Sequence, residues 1–250
     1  MSSYSILLRR KLILKSFMTN TIVIAMIAMS GLTNAKRSQN WTGYYLGPKA
    51  GVIFNNAQVD AQHLGLTNPS GTCNTSGNFW SIFPGLQLGY AHEFDSKLIL
   101  GMEGDFTYNF KQRKNLNCVC PTNSNIADRF TLINRQQGSL RARIGYAFKD
   151  NFFPFFIIGG SIADLGLKYH DEAEDYYSKQ TTRAAWLGGI GLEWLFSNNW
   201  SINIAYLYTN YNSLDMKIST IYGLSDASGK AQSKMKANTI ELALNYWFKS

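Results

Sequence analysis

The chain is poor in charge, so charged residues at regular spacing stand out. Of its 250 residues, 16% are charged and 45% hydrophobic. Glu103 and Asp105 stand two residues apart, as do Arg141 and Arg143. On an extended strand that spacing puts both members of a pair on one face. Lys49, Glu193 and Glu241 hold equivalent places in other alternating stretches. A lone charge in apolar surroundings is costly, so seven such groups are expected to be paired. The chemistry on offer is ionic cross-linking of an interior, with a gated small-solute path as the alternative.

Other reactive side chains are scattered. Cys73, Cys118 and Cys120 are an odd number of thiols, which leaves at least one unpaired within the chain. Cys118-Val119-Cys120 has no companion ligands at metal-site spacing, so no metal centre is expected. His63 and His170 fall in long polar connections and are candidates to touch an iron porphyrin such as haemin. His92 does not join them. No serine–histidine pair has the spacing of a hydrolytic site, and no phosphate-cradling glycine loop precedes a helix. The expectation is a protein that is not an enzyme.

The amino terminus has the three-part order of an export signal. Arg9, Arg10, Lys11 and Lys15 form a basic front, Ile22 to Met29 an apolar run, and Ala35 a small residue at the cut. The run is too short to cross about 30 Å of hydrocarbon as a helix. Residues 1–35 are therefore expected to be a cleaved signal peptide and residues 36–250 the working domain. The full chain carries 24 basic and 16 acidic residues, a charge of +8. Losing four basic residues and no acidic one lowers this to +4, so the basicity is partly a targeting feature. No nucleic-acid partner is expected. Export also places the cysteines in an oxidising compartment. Cys73 lies in the first long connection and the other two in the second, so a disulfide from Cys73 to either is possible.

Period-two alternation organises the rest. In residues 98–110, Leu98, Leu100, Met102, Phe106, Tyr108 and Phe110 face one way, while Glu103 and Asp105 face the other. Residues 138–148 set Leu140, Ile144, Tyr146 and Phe148 against Arg141 and Arg143. Residues 183–196, 200–209 and 237–248 repeat the pattern, with Glu193 and Glu241 opposite the apolar side. Residues 41–54 and 80–91 follow it less cleanly. Residues 152–166 are apolar on both faces and have no assignable direction. These are eight strands.

The connections alternate in length: residues 55–79, 111–137, 168–182 and 210–236 are long, and the turns between are short. That is the layout of an antiparallel up-and-down barrel with its long loops at one end. Composition agrees: 14% aromatic residues, 21 glycines and a mean hydropathy of −0.17. Eight strands enclose a lumen only wide enough for side chains. Bulky residues from every strand would not fit there, whereas glycine and paired charges would. The apolar face is thus expected to meet lipid, with Trp41, Tyr108, Trp194 and Trp200 in the interfacial girdles. The second long connection is basic, through Lys111, Arg113, Lys114, Arg129 and Arg135, and suits lipopolysaccharide phosphates.

Several motifs resemble a known family. They are Trp41-Thr42-Gly43-Tyr44-Tyr45-Leu46-Gly47, Gly101-Met102-Glu103-Gly104-Asp105-Phe106, Arg141-Ala142-Arg143-Ile144-Gly145-Tyr146 and Gly191-Leu192-Glu193-Trp194. Asn199-Trp200-Ser201, running on to Tyr206-Leu207-Tyr208-Thr209, completes the set in family order. These resemble the small alphaproteobacterial outer-membrane proteins of about 25–31 kDa, in the porin-like, OmpA-type eight-stranded barrel superfamily. Pro48, Ala205 and the tail Lys249-Ser250 depart from the pattern. The resemblance implies a bacterial outer-membrane location and a surface protein tied to envelope integrity and host contact. A small-solute porin or a haemin-binding protein is the alternative. Tyr246 and Phe248 resemble the carboxy-terminal signal read by the barrel-insertion machinery.

Overall fold

A computed structural model describes residues 41–63, 71–110, 114–119, 127–148, 151–170, 176–219 and 228–248. The signal-peptide expectation on residues 1–35 lies outside them. The described residues fall within one compact unit, Gln39–Ser250.

They form β1 (Gly43–His63), β2 (Gly71–Glu93), β3 (Leu98–Tyr108), β4 (Lys114–Val119), β5 (Ala127–Tyr146), β6 (Phe152–His170), β7 (Tyr176–Leu195), β8 (Trp200–Ser219) and β9 (Ser228–Phe248). Each strand pairs antiparallel with its neighbours. β9 returns to β1, with Tyr44 opposite Phe248. β3 pairs with β5, with Glu103 opposite Arg141, and this closes the sheet. β4 pairs with the outer half of β5 and continues the line of β3. The nine segments therefore make eight staves of a closed barrel.

The strands run well past the expected apolar stretches. β1 and β2 stay paired from Gly43–Ala91 to His63–Gly71, so most of residues 55–79 is sheet rather than loop. The other three long connections are shortened likewise by β4–β5, β6–β7 and β8–β9. The reason is physical. Beyond the membrane both faces can be polar, so Asn56, Gln58, Asn74, Ser76 and Asn78 face outward on a strand with no apolar stripe. A strand of 20 residues reaches about 65 Å along its axis, or roughly 50 Å of height when tilted. The apolar band takes about 25 Å of that. Two bulges, between Asn134 and Gln137 in β5 and between Tyr211 and Leu214 in β8, fall in these outer extensions.

The outer surface carries the greasy residues. Met102, Leu140, Phe156, Ile158, Ile190 and Leu242 are all exposed by more than half. The strand the sequence left without direction, β6, resolves cleanly. Phe153, Phe155 and Ile157 are buried inside, while Phe156, Ile158 and Ile162 face out.

One girdle expectation is corrected. Tyr108 and Trp194 face outward, but Trp41 is fully buried. Its ring packs at 5.4 Å on Phe153 and 5.5 Å on Trp247 inside the barrel's turn end. Its backbone N–H donates to Glu93 at 2.8 Å, which draws the chain inward just before β1 begins.

Candidate functional site: an ionic network across the lumen

Glycine makes the lumen possible. Gly89 lies opposite Tyr45, and a Cβ there would collide with the Tyr45 ring. Gly191 does the same for Phe155, its cross-strand neighbour. Gly159 lies opposite Arg141, where a Cβ would press on backbone. Tyr45 and Phe155 thus each lie over a glycine on the next strand, the aromatic-rescue arrangement.

The structure brings all seven predicted charges together. Lys49 Nζ lies 2.8 Å from Glu241 and 3.7 Å from Asp105. Arg141 reaches Glu241 at 2.6 Å, Asp105 at 2.9 Å and Glu103 at 3.5 Å. Arg143 reaches Glu103 at 3.3 Å and also binds Glu193. Three cations and four carboxylates interlock, and none of their side chains is more than 3% exposed. The pairs cross the lumen rather than run along one strand, tying β1, β3, β5, β7 and β9 together.

Uncharged residues finish the network. Tyr45 donates its hydroxyl to Glu103 at 2.8 Å and accepts from Arg143 at 2.8 Å. Glu193 accepts from Ser201 at 2.5 Å and Asn245 at 2.9 Å. Gln87 donates to Asn245 at 2.8 Å, which brings in β2, and Ser139 donates to Asp105. The Trp247 indole N–H donates to Ser201 at 2.8 Å. β6 contributes through a ring: the Arg143 guanidinium carbon lies 3.9 Å from the Phe155 centroid. Every full-length stave therefore takes part.

The lumen holds more than charge and glycine. Below the ions, towards the short turns, Trp41, Tyr45, Phe153 and Trp247 form an aromatic plate, with Tyr45 and Trp247 4.6 Å apart. Above them Ile53, Ala57, Val59, Phe83, Ala163 and Met235 are buried. Asn109 donates to Asn134 at 3.1 Å, and Tyr211 donates to Gln137 at 2.7 Å in that upper layer. Glycine makes room for two of these rings: Tyr45 lies over Gly89, and Phe153 lies against Gly145.

Sequence reasoning missed Tyr45, Gln87, Ser139, Ser201 and Asn245 as network members. Their inward parity was available, but nothing in an uncharged polar residue marks it as an ion's partner.

The remaining candidates do not gather. His63 ends β1 and His170 ends β6, which are four staves apart either way around the barrel. Cys73 lies in β2 opposite Ala61, and Cys118 in β4 opposite Asp128, so both are strand rather than loop residues. Cys120, Lys111 and Arg113 lie outside the described residues. Among the described residues no group of three metal-ligating side chains occurs. Tyr246 and Phe248 line the turn-end girdle with rings 5.0 Å apart, and Tyr246 meets Trp200 at 5.1 Å.

Comparison with known proteins agrees with this architecture. The chain is 26% identical over 219 residues to the 31 kDa outer-membrane immunogenic protein of Brucella melitensis, spanning 84% of each. The protein of the same name from Brucella suis matches equally. The crystal structure of the outer membrane protein OprG from Pseudomonas aeruginosa superposes with a TM-score of 0.52 at 12% identity. That match covers 86% of this chain and all of the other. Residues 21–248 match the outer membrane protein beta-barrel domain, so the chain belongs to that family and to the bacterial outer membrane.

Proposed function

We propose that the protein is a structural surface protein of the outer membrane with a sealed barrel. Its outer strand extensions and their tips form the contact surface for a host or envelope ligand, and no catalysis is assigned to it. Residues 1–35 are removed on export, and Tyr246 and Phe248 guide the barrel-insertion machinery.

One observation carries this reading. The seven-charge network spans the lumen and is stacked between the aromatic plate and the upper apolar layer. A water-filled path would have to part several buried ion pairs at once, each costly to break. The arrangement braces the wall rather than lining a conduit.

The test is solute flux into proteoliposomes holding the folded protein. Amino acids and pentoses should enter no faster than in protein-free vesicles. Replacing Arg141 and Arg143 together by alanine should raise flux, because the seal is then lost. Rapid flux through the unaltered protein would support the porin alternative and overturn the sealed reading.

A further inference from the structure

On the outer face of β8, β9, β1 and β2 the apolar band ends abruptly. Its last row is Trp80, Phe54, Asn238 and Tyr208, in register across the four strands. The next row is Asn78, Asn56, Lys236 and Asn210. Beyond it come Ser76, Gln58 and Lys234. Lys234 and Lys236 point outward and are exposed, and neither has an ion-pair partner among the described residues. These rows contain no carboxylate. The first on this face is Asp60, one row further out and opposite Gln232.

A cleft of about 330 Å³ opens here, bordered by Phe54, Asn56, Asn78, Trp80 and Asn238. Its amides are oriented. Asn56 donates to the Asn78 oxygen at 2.8 Å, and Tyr206 donates to the Asn238 oxygen at 2.6 Å. With those oxygens committed, the Asn78 and Asn238 N–H groups remain to donate outward.

We infer that this patch is a binding site for the phosphorylated sugar headgroup of an outer-leaflet glycolipid of the lipid A class. The height supports it, because aromatic girdles mark the level of headgroups. The charge supports it, because lysines bind phosphate as point charges and draw anionic lipid to a surface. The composition supports it too. Amides suit sugar hydroxyls, and the Phe54 and Trp80 rings suit the first acyl carbons. A soluble anion would have no use for that apolar floor.

The test uses folded protein in phosphatidylcholine vesicles doped with lipid A or with its fully dephosphorylated form. Co-purifying lipid is counted by native mass spectrometry. The unaltered protein should retain the phosphorylated form at least tenfold better. K234Q/K236Q should reduce that preference to within twofold while keeping the folded gel mobility, and K234R/K236R should restore it. K97Q, at a partly exposed basic position in the turn between Glu93 and Leu98 at the other end of the barrel, should leave it unchanged. An undiminished preference in K234Q/K236Q overturns the site. Displacement of the lipid by millimolar inorganic phosphate overturns its lipid specificity.

Discussion

Arg143 is the residue on which the interior turns. It joins Glu103, Glu193 and the Tyr45 hydroxyl, and its charge lies over the Phe155 ring. Removing one member of a buried pair leaves the other charge uncompensated, which costs about 3–5 kcal/mol. Arg143→Ala should lose that much in urea unfolding from detergent micelles. Combining it with Glu193→Gln should recover part of the loss, since the stranded carboxylate is then neutral. Tyr45→Phe keeps the ring but removes a hydroxyl that both gives and accepts a hydrogen bond. It should cost about 1–3 kcal/mol by the same measurement. The seven charges were legible because an ionic group at period two in a charge-poor strand, opposite a lipid-facing stripe, can only point into the lumen. Tyr45 was not, because a tyrosine beside Tyr44 reads equally well as girdle.

At the scale of the strand, inward and outward glycines differ. Gly89 has the Tyr45 ring over it, whereas Gly104 faces outward with its nearest foreign atom 3.9 Å from a built Cβ. Gly89→Ala should cost about 1–3 kcal/mol or abolish the folded gel band. Gly104→Ala should raise stability by roughly 0.4–1 kcal/mol, because it restricts only the unfolded chain. The turn between β2 and β3 offers a further check. Lys97 sits at φ 65°, a region costly for residues with a Cβ, and its N–H donates to the Phe94 carbonyl while the Phe94 N–H donates to the Leu98 carbonyl, which closes the turn. Its partly exposed ion pair with Glu93 at 3.1 Å adds little. Lys97→Gly should therefore stabilise by up to about 1 kcal/mol in the same unfolding assay. The membrane halves of the strands were legible because lipid on one side and a packed lumen on the other force alternation. Their outer halves were hidden because water accepts polar residues on the exterior without any stripe. Residues 152–166 were ambiguous for the opposite reason: Phe153 and Phe155 fill the lumen while Phe156 and Ile158 meet lipid, so both faces are apolar.

The molecule as a whole is a closed wall with a buried, ion-paired interior and an apolar, lipid-facing exterior. Closure depends on the β9–β1 and β3–β5 pairings, which join the two ends of the sheet. The short turns lie at one end and the polar extensions at the other, so the extensions should project from the cell. The strand that sequence could not orient gives the most direct test of sidedness. Spin labels placed one at a time from residue 156 to residue 163 of β6, in protein reconstituted in bilayers, report access to oxygen from lipid and to a nickel chelate from water. Labels at 156, 158, 160 and 162 should be reached by oxygen alone. Labels at 157, 159, 161 and 163 should be reached by neither reagent. Nickel access at the odd positions would mean a water-filled lumen, and oxygen access at every position would mean a sheet that does not close; either result would contradict a sealed, lipid-facing barrel.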